Sequence, residues 1–369
     1  MVYNWELQDW PDFQYSLLDI EPLLYAFTFE AGEVSGILKS LPQDIQQESL
    51  LEVMISEAIK TSEIEGEFLS RHDVMSSIRN NLGINKIPEH VKDQKSQGAG
   101  QLMVDIRNSY QDNLTCEKLW EWHKMLLSSS LKIRAGQWRT GNEPMQIISG
   151  SIGKEKIHFQ APPSEQVPDE MDRFILWFNE TAPDGKNAMN SAPVRAAIAH
   201  LYFESIHPFE DGNGRIGRAI AEKTLSQTLG RPVVMSLSRT VEADKKSYYT
   251  ALQQAQTSNE ITGWVRYFVE VVLKSQRDSR QQIEFTLQKI RFFDLYGSQL
   301  NDRQAKVIHR MLESGISGFE GGMSANKYIS ICKTSKATAT RDLQTLHEMG
   351  IMKAQGRGRS VRYNLCLEY

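Results

Sequence analysis

HPFEDGNGRIGR, residues 207–218, follows directly on an apolar stretch, APVRAAIAHLYFESI, at residues 192–206. In that stretch Val194, Ile198, Leu201 and Ile206 fall on one helical stripe, and the alanines permit close packing. His207 ends the helix because Pro208 cannot continue it. Asp211-Gly212-Asn213-Gly214 is a turn whose glycines let backbone N–H groups approach a ligand with no Cβ in the way. A second helix, predicted over 213–229, starts at once, so its unpaired N–H groups and its dipole face the same loop and favour a bound anion. Arg215 and Arg218, three apart, share a face of that helix. The string therefore supplies a general base in His207 and a carboxylate for Mg2+ in Asp211. It also supplies loop amides and Asn213 to cradle a phosphate chain, and two guanidinium groups to neutralise it.

The same string resembles the Fic family signature HPFxDGNGRxxR, with His207, Pro208, Phe209, Asp211, Gly212, Asn213, Gly214, Arg215 and Arg218 matching every fixed position. The resemblance extends over the helical body from about 110 to 275. It implies an all-α protein that transfers AMP from ATP to a Ser, Thr or Tyr hydroxyl of a target protein and of itself. It implies that His207 is the catalytic base, deprotonating the hydroxyl for in-line attack on the α-phosphate. Asp211 would bind the metal, Mg2+, and Arg218 would hold the γ-phosphate. The run Asp211, Gly212, Asn213, Gly214, Arg215, Ile216, Gly217 and Arg218 would bind the nucleotide, while Phe209 packs inward and fixes the loop. Downstream, KKSYYTALQQAQ (245–256) resembles the family's nucleoside-binding part, with Tyr248 and Tyr249 near the adenine and ribose and Gln256 one helical step further. Upstream, KTSEIEGEF (60–68) resembles its inhibitory motif [ST]xxxE[GN] at Thr61, Glu65 and Gly66. A bidentate pair between Glu65 and Arg218 would occupy the place the γ-phosphate requires.

The rest of the chain reads as mainly α. Helices are predicted through 23–38, over about 50–66 with Leu51, Ile55 and Ile59 on one face, and over 72–82, 89–111, 115–128, 164–180, 244–256 and 260–295. Gly32 and Gly36 lie at close-packing spacing on the first of them. Between 144 and 160, short β-type runs with glycines read as a β-hairpin flap. In the family a similar hairpin aligns the target segment by strand addition. Lys154, Lys156 and His158 read as surface residues of the flap.

Within NDRQAKVIHRMLESG (301–315), Ala305, Ile308 and Leu312 point inward. The segment after it, with a helix over 335–349 and two strands around a Gly/Arg tip, resembles a winged helix–turn–helix. Its second helix would present Thr334, Ser335, Lys336, Thr338 and Arg341, and its wing Arg357 and Arg359, to a nucleic acid or to a protein. From Met323 onward eight Lys or Arg stand against three Asp or Glu, although the whole chain of 369 residues has a formal net charge of −4. The expected organisation is an N-terminal helical domain (1–110, inhibitory helix about 50–66), a Fic catalytic core (111–295) and a winged helix domain (296–369).

Three isolated cysteines, Cys116, Cys332 and Cys366, argue against zinc and a disulfide framework and fit a cytoplasmic protein. The opening MVYNWELQDWPDF lacks the pattern of a signal peptide, and no apolar run reaches the length of a membrane span. Expected partners are a target protein with an accessible hydroxyl, a second copy in a homodimer, and DNA through the C-terminal domain. Two other readings stand beside AMP transfer: a DNA-binding regulator whose core senses nucleotide, and removal of AMP at the same site. The intact His207 argues against the first, since sensing needs no general base.

Overall fold

The computed structural model describes residues 2–149, 156–316, 318–356 and 360–367. Its helices are α1 (Glu21–Ser40), α2 (Gln43–Ile64), α3 (Arg71–Asn81), α4 (Gln94–Asn108), α5 (Cys116–Leu127), α6 (Val167–Glu180), α7 (Ala192–Ile206), α8 (Asn213–Leu229), α9 (Leu237–Ala243), α10 (Lys245–Ala255), α11 (Thr262–Tyr296), α12 (Asp302–Leu312), α13 (Ala325–Cys332) and α14 (Lys336–Glu348). Strands β1 (Gln146–Ser149) and β2 (Lys156–Gln160) form one antiparallel hairpin; β3 (Met352–Gln355) and β4 (Arg362–Leu365) form another. The mainly helical class with a small two-stranded flap is as the sequence predicts. The chain divides into two compact units, Met1–Glu33 with Asp44–Ser279, and Val34–Gln43 with Arg280–Tyr369. Among the described residues no helix is long and apolar enough to cross a membrane.

The larger unit is organised around α7. The sequence predicts one buried stripe, but all fifteen residues of α7 are buried. Its two sides belong to different apolar clusters. Ala199, Tyr202, Phe203 and Ile206 join α2 to α6 and α8, and Val194, Ala197, Ile198 and Leu201 join α1 to α8 through α11. A helix apolar all round is stable only when enclosed, and the alanines let its neighbours close in. Arg195, fully buried on α7, is satisfied by the Phe178 carbonyl at 2.7 Å, Gln227 Oε1 at 2.9 Å and the hydroxyls of Thr181 and Thr228 at 3.1 Å.

Polar side chains fix where the elements begin. Thr115 accepts from the Lys118 amide to open α5, Asp93 caps α4, Ser236 caps α9 and Asp244 caps α10. Helix α9 has no counterpart in the sequence reading, because its seven residues are too few to establish a period. Gly32 and Gly36 correct another expectation: a Cβ at either would meet nothing within 4 Å, so their spacing serves no close helix contact. In the hairpin, Gln146 pairs with Gln160 and Ile147 with Phe159, and the register shifts before Ile148. Lys154 lies outside the described residues.

In the smaller unit α12, α13 and α14 precede the β3–β4 hairpin, and Met323 pairs with Tyr363 through two backbone bonds of 2.8 and 2.9 Å. The buried face of α12 carries Gln304, Val307, Ile308, Met311 and Leu312; Ala305, expected inward, is only half-buried. Ser335, Lys336 and Arg341 are exposed, Thr334 and Thr338 are half-buried, and Ser335 caps α14. Arg357 and Arg359 lie outside the described residues.

Candidate active site

The α7–α8 loop is braced from three directions. His207 has a left-handed backbone (φ 50°, ψ 59°), which a residue with a side chain seldom adopts. Arg139 holds it there: its Nε donates to the His207 carbonyl at 2.8 Å, and its backbone amide donates to the Pro208 carbonyl at 2.8 Å. Burial pushes the Arg139 pKa down to about 10, which leaves it charged at neutral pH. Phe209, fully buried, stacks on His123 with ring centroids 4.0 Å apart. His123 Nδ1 accepts the Gly136 amide at 2.8 Å, so Nε2 carries the proton it offers to the Asp211 carbonyl at 3.2 Å. Burial, which lowers the His123 pKa to about 4, favours this neutral form. Finally, Asn213 Oδ1 accepts the Phe209 amide at 2.9 Å, and its Nδ2 donates to the Phe209 carbonyl at 2.8 Å.

Gly212 supplies the left-handed turn (φ 82°) that opens α8, and the first bond of the helical ladder runs from the Ile216 amide to the Gly212 carbonyl. The amides of residues 213–215 precede that ladder and face forward, as an anion nest requires. They open on a cavity of about 580 Å3, lined by His207, Glu210, Asp211, Gly212, Asn213, Gly214, Arg218 and Glu204. Opposite stand Tyr248, Tyr249, Leu252, Gln253 and Gln256 of α10 and its end, and Met145, Ile147, Ile148, His158 and Phe159 of the hairpin region.

The end of α2 meets this loop. Arg218 is 2% exposed; its Nη2 donates to Glu65 Oε1 at 2.7 Å and to the Thr61 carbonyl at 2.8 Å, and its Nε donates to the Thr61 hydroxyl at 2.8 Å. The expected bidentate pair is thus replaced by one charged contact, with Thr61 taking the other donors. Arg218 Nη1 is buried without a partner. Burial works against the Arg218 charge, yet Glu65, Tyr248 and Tyr249 beside it hold its pKa above the ordinary value. A Cβ built at Gly214 would overlap Glu65 Oε1, so that carboxylate lies directly on the glycine of the nest. Gly66 then turns the chain in the left-handed region (φ 80°), and Glu67 pairs with Arg215, whose other contact is Asp211 at 3.5 Å.

Most of the sequence-predicted residues come together, and several change role. His207, Asp211, Gly212, Asn213, Gly214, Arg218, Tyr248, Tyr249 and Gln256 line the cavity. Asn213 has both ends of its amide committed to Phe209, so its side chain shapes the loop instead of cradling phosphate. Arg215 is 3% exposed and engaged by carboxylates, Ile216 is fully buried in the core, and Gly217 faces Glu204 and His200; none of the three lines the cavity. Tyr248 is 1% exposed with its hydroxyl 2.7 Å from His200 Nε2, whereas Tyr249 is 43% exposed. Gln256, buried, donates to the Glu204 carbonyl at 3.2 Å. His158, expected at the surface, is half-buried on the cavity wall. Sequence reasoning missed Arg139, His123, Glu67 and Glu204. Only Glu204 had a local signal, its position one helical turn before His207.

Among the described residues no group of three or more His, Cys, Asp or Glu is arranged to hold a metal. Asp211, with a half-exposed side chain whose Oδ1 accepts the Gly212 amide at 2.6 Å, offers a single carboxylate at the rim. That suits Mg2+, which takes one or two carboxylates and completes its shell with phosphates and water.

Residues 113–225 match the model of the Fic/DOC family. The chain carries a Fic/DOC domain. Residues 3–84, ahead of that Fic domain, match a domain of unknown function, DUF4172. The chain is 25% identical over 226 residues to the protein adenylyltransferase fic-1 of Caenorhabditis elegans, a match covering 60% of this chain and 39% of that protein. It is 25% identical over 269 residues to the protein adenylyltransferase Fic of Drosophila virilis, covering 70% and 50%. The chain thus spans half or less of the length of these relatives. A solved Fic family protein from Desulfovibrio desulfuricans G20 shares the fold over 96% of this chain and 98% of its own, with a TM-score of 0.53 at 19% identity. A fragment of Fic-1 from C. elegans does so over 73% and 74%, with a TM-score of 0.52 at 20% identity.

Proposed function

We propose that this protein is an adenylyltransferase that moves AMP from ATP to a Ser, Thr or Tyr hydroxyl of a target protein, and of itself, and that Glu65 restrains it. One observation carries the reading: a single cavity holds an imidazole, a glycine-lined helix start and a buried guanidinium whose partner is a carboxylate just past the end of a separate helix. The triphosphate of ATP would lie along the amides of residues 213–215, and its γ-phosphate would take Arg218 from Glu65. His207 accepts the proton of the attacking hydroxyl. The oxygen–phosphorus bond forms at the α-phosphate, the bond from that phosphorus to the bridging oxygen breaks, and pyrophosphate leaves. Asp211 would hold Mg2+, which supplies positive charge against the phosphates. Tyr248, Tyr249 and Gln256 would border the nucleoside, and the exposed Ile148 and Ile157 of the hairpin would meet a target strand.

With Glu65 in place, the γ-phosphate loses its seat and the α-phosphate is misaligned, an error that costs on the order of 100-fold in rate. The test is incorporation of labelled AMP, read by mass spectrometry, for wild type, Glu65→Gly and the double variant Glu65→Gly with His207→Ala. The expected result is a rise on the order of 100-fold in Glu65→Gly that His207→Ala abolishes. Equal, low incorporation in wild type and Glu65→Gly would sink the restraint. Nucleotide binding without transfer in Glu65→Gly would favour a sensor, and loss of AMP from a pre-modified protein would favour the reverse reaction.

A further inference from the structure

We infer that Glu204 is the positioning residue of His207, taking the proton on Nδ1 so that Nε2 is left as the basic nitrogen. The inference rests on the adenylyltransferase reading and adds a group to its machinery. Glu204 lies on α7 three residues before His207, and its Oε2 is 3.6 Å from His207 Nδ1. His207 Nδ1 and Glu204 Oε1 are both buried without a hydrogen-bond partner. Glu204 is 3% exposed, and a carboxylate taken out of water is retained only where positive charge or donors compensate it. Here compensation comes from His207 and His200 on α7, and from Arg218 across from them on α8. Tyr248 and Tyr249 of α10 and Glu65 at the end of α2 complete the titratable surroundings.

Two features of the sequence fit this arrangement. The signature HPFxDGNGRxxR leaves residues 216 and 217 free, yet residue 217 is glycine. A Cβ there would overlap Glu204 Oε1, so glycine at 217 leaves the carboxylate its space. The left-handed backbone of His207, pinned by Arg139, turns the ring back toward the helix turn that carries Glu204. A base oriented by a buried carboxylate on its far nitrogen gains in two ways. The tautomer is fixed, and the imidazolium formed when the base accepts a proton is stabilised. At 3.6 Å the pair is longer than a hydrogen bond, as catalytic contacts often are before substrate binds.

Two measurements decide it. The first needs no variant: 15N NMR of the wild-type His207 ring should find the neutral form protonated at Nδ1, and protonation at Nε2 would overturn the inference even if AMP transfer is never observed. The second compares Glu65→Gly with Glu65→Gly carrying Glu204→Gln. The expected result is a kcat lower by about tenfold or more, with KM for ATP and the thermal midpoint retained. An unchanged kcat would overturn the proposal. Absence of all transfer in Glu65→Gly would count against the adenylyltransferase reading, leaving the ring tautomer to judge Glu204.

Discussion

Two segments meet at Arg218, and they are held in opposite ways. The α7–α8 loop is fixed through its backbone: Asn213 bonds both backbone groups of Phe209, Arg139 bonds the His207 carbonyl, and His123 bonds the Asp211 carbonyl. In the proposed chemistry a nucleotide competes for none of those bonds. The end of α2 touches the loop through Thr61, Glu65 and Glu67, and two of these three contacts are carboxylates on arginines. Glu65 keeps 29% of its side chain exposed and Glu67 keeps 23%. The scaffold is thus built from bonds that phosphate cannot replace. The segment over it is built partly from bonds that phosphate imitates.

The contrast can be broken from the loop side first. Asn213→Ala leaves the Phe209 amide and carbonyl without partners in a buried place, which costs about 1–3 kcal/mol for each unsatisfied group. A lower thermal midpoint is expected, together with loss of most AMP transfer in a Glu65→Gly background, because the nest loses its shape. A variant as active and as stable as its parent would mean that the loop is held by other bonds. A smaller effect is expected from the movable side. Glu67→Gln removes a partly exposed partner of Arg215, worth at most about 1 kcal/mol or a fivefold gain in transfer. Initial rates for Glu67→Gln and for its combination with Glu65→Gly measure whether the two carboxylates act independently, and a fall in rate would exclude a restraining role for Glu67. The smallest change is expected on α1, where Gly32→Ala and Gly36→Ala should each raise stability by about 0.5–1 kcal/mol, as for any glycine in an open helix position. Destabilisation in a thermal melt would indicate that the glycines do meet a close neighbour.

Much of the site was legible in the sequence because its demands are local. The turn over Asp211–Gly214, the helix start at Asn213 and the stop at Pro208 follow from residue types in order. Thr61, Glu65 and Gly66 were singled out through their resemblance to the inhibitory motif, since residue types alone do not mark the end of α2. What stayed hidden requires pairing across the chain. Arg139 lies 68 residues from the carbonyl it holds, and nothing in the run WRTGN announces that task. Asn213 was assigned to phosphate because an amide beside glycines suits it, and only the fold reveals that Phe209 already uses both ends. The all-round burial of α7 was missed because a period detects one face, while enclosure depends on how many neighbours arrive.

Gly214 carries a last consequence. The hydrogen in place of its side chain leaves a vacancy about the size of one oxygen atom, now filled by Glu65 Oε1. In the proposed chemistry a phosphate oxygen claims that same vacancy. Any larger residue at 214 would evict both tenants at once, so neither occupancy can be adjusted there without ruining the other. On the proposed reading, the tightness of the restraint can therefore be adjusted in the stretch from Thr61 to Glu67 and not at Gly214.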